Sequence, residues 1–288
     1  MDGCETRLRL DHVTVCGSDL EAMRRAFREV GLSTTYGGPH ANGATHMDLL
    51  ALEDGSYLEL IAPMAELRGA SGMMSGWARL MEADAGAGAW AVRSNDIHGE
   101  ARRLRESGIE VRGPEAGGRK RPDGFVLEWE TAVVGPGAAG SVFPFMIEDK
   151  TPRGLRVPEA SSPVSALISG VAAVVLGVRD LEASVALFRP AYGLEEPRIE
   201  RSEDLGMTIA FFPGTPVMLA GAFKDDCWLV QRISRFGECP AAILLGTHDL
   251  GAATDRYRLG NPDVWFGVKL AWFDEWRLRG AKLGVIEL

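Results

Sequence analysis

Four times along this chain an Asp-Leu or Asp-Ile pair is followed by a large apolar residue and then by a glycine, and that repeat limits the fold more than any other feature. Asp19-Leu20 leads to Phe27 and Gly31-Leu32, and Asp96-Ile97 leads to Leu104 and Gly108-Ile109 at the same offsets. Asp180-Leu181 leads to Phe188 and, one residue later than in the first copies, Gly193-Leu194, while Asp249-Leu250 leads to Tyr257 and a looser Leu259-Gly260. An Asp at each start can cap a helix, because its carboxylate accepts from the first free amides. Leu20, Met23 and Phe27 recur at helical spacing, and a following Gly supplies a left-handed stop. After each Gly the period changes to that of strands. In the first copy these are about Ser33 to Tyr36, Thr45 to Leu52 and Tyr57 to Ala62, with Gly37-Gly38-Pro39 and Asp54-Gly55 as turns. The unit is βαβββ, so the chain is expected to be α+β, with four such modules in two tandem pairs.

The repeat divides the 288 residues into a domain over 1–150, holding modules 7–63 and 87–150, and a second over 168–288, holding modules 168–222 and 226–288. Residues 151–167, rich in Pro, Ser and charge through Pro158 to Ser161-Ser162-Pro163, read as the linker. No apolar run approaches the roughly 20 residues that cross a bilayer, and Met-Asp-Gly-Cys-Glu lacks the pattern of a signal peptide, so a cytoplasmic location without membrane contact is expected. Cys4, Cys16, Cys227 and Cys239 form no C-x-x-C pair and are expected as thiols. A net charge of -9 disfavours nucleic acid as a partner, which leaves a small molecule.

A histidine and a carboxylate stand mid-strand where apolar residues are the rule: His12 in Leu10-Asp11-His12-Val13-Thr14-Val15, and Glu59 in Tyr57-Leu58-Glu59-Leu60-Ile61. Alternation puts His12 on one face with Leu10, Thr14 and Cys16, opposite Val13 and Val15, and puts Glu59 with Tyr57 and Ile61. The two could meet in a concavity. His46, with Asp48 on its face, could add a second imidazole, and His40 is expected in a loop at the mouth. Arg93, aligned with Cys16 of the first copy, could project into the same concavity, where Trp90, Trp129, Phe143 and Phe145 would supply apolar wall. Arg119-Lys120-Arg121 precede a turn and read either as a solvated loop or as an arm meeting an anionic substrate at the rim. His98 and His248 sit at helix starts and are expected in solvent. Trp265, Phe266, Trp272, Phe273 and Trp276 crowd the last copy, as packing or as an interface such as that of a homodimer. Gly-x-Ser-x-Gly and phosphate-binding glycine loops do not occur.

Paired βαβββ units with an Asp-His-Val first strand and a Tyr-Leu-Glu-Leu last strand resemble the vicinal oxygen chelate superfamily of glyoxalase I, extradiol dioxygenases, fosfomycin-resistance enzymes and bleomycin-binding proteins. Three stretches resemble the bacterial glyoxalase-like domain proteins more narrowly: Gly37-Gly38-Pro39-His40 through Gly43-Ala44-Thr45-His46, the Arg121-Pro122-Asp123-Gly124 turn before Trp129, and Pro144-Phe145-Met146-Ile147-Glu148-Asp149. The resemblance implies that each pair of modules forms a half-open cup of mixed sheet. It also implies a divalent metal ion that a small substrate chelates through adjacent oxygens, and isomerase, lyase, transferase or dioxygenase chemistry. His12 and Glu59 match the family's ligand positions in the first module, with His46 as a possible third donor. Tyr57, Arg93, Trp90 and His40 would contact substrate, and Glu148 would ligate or act as base. The other three copies carry Ala89, Ala173 and Ala242 at the position of His12, and the last strand Val217-Met218-Leu219-Ala220 has no acid, which leaves Glu287 alone in the second half. A metal-free binding protein like the bleomycin-binding members is the competing expectation.

Overall fold

The computed structural model of the chain describes residues 8–41, 43–64, 76–121, 123–160, 164 and 166–288. Cys4, Pro122 and Ser161-Ser162-Pro163 lie outside them. The first module runs β1 (Leu10–Cys16), α1 (Leu20–Glu29), β2 (Thr35–Pro39), β3 (Thr45–Ala51) and β4 (Tyr57–Pro63). A short α2 (Ala78–Glu82) precedes the second: β5 (Gly86–Arg93), α3 (Ile97–Glu106), β6 (Val111–Lys120), β7 (Val126–Val134) and β8 (Phe145–Asp149). The stretch expected as a linker carries α4 (Arg153–Arg156). The third module is β9 (Gly170–Val178), α5 (Leu181–Tyr192), β10 (Arg198–Ser202), β11 (Met207–Phe211) and β12 (Val217–Ala222). After α6 (Trp228–Phe236) comes the fourth: β13 (Cys239–Thr247), α7 (Leu250–Tyr257), β14 (Asp263–Trp265), β15 (Val268–Trp272) and β16 (Leu283–Glu287).

Each helix start is set by the aspartate that announced it. Asp19, Asp96, Asp180 and Asp249 accept from the amides of Ala22, Gly99, Ala183 and Ala252 at 3.0, 2.9, 2.9 and 2.8 Å. Gly31, Gly108 and Gly193 take positive φ just past the helix ends, and in the looser fourth copy Arg258 holds that conformation at φ 55°. Gly37-Gly38-Pro39 is not a turn. It continues β2, with a register shift between Tyr36 and Gly38 that absorbs the extra residue.

The modules join in pairs through their first strands. One eight-stranded sheet runs β2-β3-β4-β1-β5-β8-β7-β6 and the other β10-β11-β12-β9-β13-β16-β15-β14. β1 is parallel to β4 and antiparallel to β5, so each sheet is mixed. The helix-bearing faces share one core, in which Val13, Val15, Leu58 and Phe27 of the first half lie in the same apolar cluster as Val174, Leu176, Leu219 and Phe188 of the second. Phe143 stacks on Phe188 at 4.8 Å, and Arg103 donates to the Ala191 carbonyl at 2.7 Å. With those faces buried, the opposite faces become two cups. The second is filled by α6, whose Leu229 and Ile233 pack among Ala173, Val175, Met218, Ala242 and Trp265. Most of the aromatic crowd in the last copy is packing of this kind, whereas Trp276 is 94% exposed. None of the described helices is long and apolar enough to cross a membrane.

Candidate functional site

The polar floor of the first cup begins with a β-bulge. Leu10 pairs with Val92 and His12 with Ala91, so Asp11 is an extra residue in β1. A bulge resets the alternation of side chains. Leu10 therefore packs in the shared core with Val13 and Val15, and does not share the His12 face as simple alternation would have it. Asp11 Oδ1 lies 2.7 Å from His12 Nδ1. A carboxylate can only accept, so Nδ1 carries the proton and a neutral ring keeps its lone pair on Nε2.

Asp11 is fully buried and answers several cations at once. Arg153 Nη1 donates to it at 2.6 Å, Arg156 reaches both its oxygens at 3.2 and 3.1 Å, and Arg93 Nε lies 3.4 Å away. Burial alone would raise its carboxyl, but Arg156, His12 and Arg153 outweigh burial and hold it far below the usual carboxylate range. Arg156 also donates to Asp149 at 2.6 and 2.8 Å and to the Tyr57 hydroxyl at 2.7 Å. The Tyr57 ring stacks on His12 at 4.7 Å, and burial pushes its phenol well above the ordinary value. α4 thus reaches back from the end of the first half to fix the first strand.

Glu59 on β4 stands opposite Thr14, whose hydroxyl donates to Oε2 at 3.2 Å. His12 Nε2 is 3.8 Å from Oε2, and His40 Nε2 is 3.5 Å from Oε1. His40 Nδ1 is held by Thr45 Oγ1 at 2.8 Å. Burial pushes the Glu59 carboxyl up, but His40, His12 and Thr14 together bring it down to about 2. It is a carboxylate between two imidazoles. Above it opens a cavity of about 350 Å³ walled by Met47, Leu49, Trp77, Trp129, Phe145 and Ile147, with Arg119 and Arg156 also at its surface.

Of the residues singled out from sequence, His12, Glu59, Tyr57 and His40 come together here. His46 does not. Met47 and Leu49 face the cavity, so His46 and Asp48 point to the helix side, where Asp48 binds Arg24 at 2.6 Å and Thr34 at 2.6 Å and His46 meets the edge of Tyr36. Trp90 is buried in the shared core, with Nε1 donating to the Val142 carbonyl at 3.1 Å, and Phe143 packs beside it. Arg93 sits behind the floor, bonded to the Gly55 carbonyl and facing Asp11, and does not line the cavity as the sequence led one to expect. Glu148 accepts from the Ile97 amide at 2.7 Å and pairs with Lys150 at the start of α3, outside the cup. The register explains the error. Thr14 pairs with Glu59 and the matching Ala91 pairs with Phe145, so Phe145 is the true counterpart of Glu59.

Sequence reasoning missed Arg153, Arg156, Trp77 and the role of Asp11. The Asp-His adjacency was visible, but an alternating strand would have sent the two side chains to opposite faces. Nothing periodic marks the two arginines.

A metal site of the kind implied by the resemblance needs donors from the second module as well. That module supplies Ala89 and Phe145 at the two ligand positions. In the first module His12 Nε2 and His40 Nε2 stand 3.8 and 3.5 Å from the two oxygens of the Glu59 carboxylate. Among the described residues, no group of three or more His, Cys, Asp and Glu side chains is placed to hold a metal ion. The described residues therefore do not form the two-module metal centre that the resemblance implies. Glu287 in the second half is exposed at the end of β16.

A family model described as a glyoxalase-like domain matches residues 10–192, which extends past the first cup into β9 and α5. The crystal structure of a hypothetical protein from Staphylococcus aureus superposes with a TM-score of 0.64 at 14% identity, covering 98% of this chain and all (100%) of that one. That likeness shows the two-cup fold over the full length. A methylmalonyl-CoA epimerase from Streptomyces coelicolor, in complex with 2-nitronate-propionyl-CoA, is 18% identical over 42% of this chain and 94% of its own, with a TM-score of 0.39. Its namesake from Mycobacterium tuberculosis is 16% identical over 42% and 89%, with a TM-score of 0.38. No curated protein matches the chain.

Proposed function

Because the chain belongs to the glyoxalase-like domain family, and with it to the vicinal oxygen chelate superfamily, we propose that its first cup binds a small oxygenated molecule directly through His12, His40 and Glu59, without a metal ion between them. The observation that carries this reading is the Asp11–His12 pair at 2.7 Å, which turns His12 Nε2 toward Glu59 at the floor of an apolar cavity. Such sites combine an apolar body with a few placed polar groups, and about 350 Å³ lies at the small end of the usual range of roughly 300–1,000 Å³. A ligand hydroxyl would donate to Glu59, and a ligand carbonyl would accept from an imidazole. Isomerase or lyase chemistry would ask His12 to take a proton on Nε2 and return it, with Asp11 stabilising the imidazolium.

Elemental analysis of untagged protein, followed by calorimetric titration with small hydroxy- and keto-aromatics before and after chelator treatment, tests the reading. The expected result is metal far below one ion per chain and ligand binding that chelator leaves unchanged. One divalent ion per chain that departs in His12→Ala or Glu59→Ala would overturn it in favour of the metal-dependent reading.

A further inference from the structure

We infer that the ligand of the first cup is an organic anion, a carboxylate or its equivalent on an apolar body, whose charge is met by Arg119. The inference rests on the cup being the ligand site, and it names the class of molecule that enters.

The other arginines beneath the cup each have a carboxylate in contact. Arg156 faces Asp11 and Asp149, Arg153 and Arg93 face Asp11, and Glu59 faces two imidazoles. Arg119 lines the cavity and is only 6% exposed, yet it forms no ion pair among the described residues. Its Nη1 donates to the Gly37 carbonyl and its Nη2 lies 3.4 Å from the Arg156 carbonyl. Carbonyls accept hydrogen bonds but do not neutralise a charge, and a guanidinium has five donors to place. Burial works against its protonated form. A buried cation without a counter-charge is costly, and an entering carboxylate would supply that charge through short, charge-assisted bonds.

The position of Arg119 also suits the task. β6 and β2 are the two outer strands of the first sheet, so the bond from Arg119 to Gly37 draws opposite edges of the cup together. An anion there would sit where the rim closes, with Trp129, Phe145, Ile147 and Glu59 lining the same cavity. In the second cup Leu229 and Ile233 of α6 occupy the corresponding space.

Paired probes separate charge from shape: benzoate, salicylate and phenylacetate against benzamide, salicylamide and phenylacetamide, titrated calorimetrically at low and high salt. The wild-type protein should bind the acids at least about tenfold more tightly than the amides, with the difference narrowing in salt. Arg119→Gln should lose that preference while its amide affinities change little, and thermal melting of the variant checks that the rim survives. Amides bound as tightly as acids by the wild type would overturn the anion inference and leave the cup reading intact. Binding of neither class would overturn both.

Discussion

The two halves of this protein are the same construction with opposite contents. All four first strands carry the bulge at the same place, with Asp11, Gly88, Ala172 and Ala241 as the extra residues. The next position reads His12, Ala89, Ala173 and Ala242. The matching last-strand position, read from register, is Glu59, Phe145, Met218 and Gly284. Only the first copy fills all three with polar side chains. The second half spends its concave face on packing, with α6 inserted as if it were a permanent ligand, while the first half keeps a cavity and carries the cost of buried charge beneath it. The fold makes two cups, and the side chains decide which one remains open.

The largest effect should come from the first cup's floor. Asp11→Ala leaves Arg156 and Arg153 without their shared buried partner, and loss of one partner of a buried pair costs about 3–5 kcal/mol. Denaturant unfolding should show that loss, and a change below about 1 kcal/mol would mean that the arginines find other partners. The second cup should be nearly as sensitive for a different reason. Leu229 is fully buried in the plug, so Leu229→Ala should cost about 2–5 kcal/mol through lost packing and the cavity left behind. Calorimetric titration of the same variant should show ligand affinity in the first cup unchanged, and a loss of affinity would mean that the two cups are coupled.

A smaller effect separates the halves by pH. The Glu59 carboxyl falls from an ordinary 4.5 to about 2 in the folded protein. A depressed carboxyl contributes stability that is fully present above 4.5 and disappears as pH falls toward 2. The stability difference between wild type and Glu59→Gln should therefore shrink across that window. A matched Met218→Ala variant in the second cup should keep a constant difference from wild type, since no titrating group lies at its position.

How far the sequence revealed this arrangement follows from which features are local. Capping Asp19, Asp96, Asp180 and Asp249 and the glycines after their helices act within a few residues, so four modules could be read directly. His12 and Glu59 were legible because a charged or polar side chain mid-strand breaks the pattern around it. The bulge was not, because one extra residue leaves no compositional mark, and it misplaced Leu10 and hid the Asp11–His12 contact. His46 lost to His40 through the parity of β3, which only the pairing with β4 fixes. Glu148 lost to Phe145 for the same kind of reason. Arg153 and Arg156 come from a stretch that reads as linker, and only the folded chain carries it back to Asp11.

The central claim is that ligands enter the first cup and depend on its polar floor. Calorimetric titration with the acid probes should compare wild type, the combined His12→Ala and Glu59→Ala variant, and Glu287→Ala, with melting temperature recorded for each. The account predicts that the double variant melts as a folded protein but binds nothing measurable, while Glu287→Ala binds like wild type. Binding that survives the double substitution and disappears with Glu287→Ala would place the ligand in the other half and contradict the account.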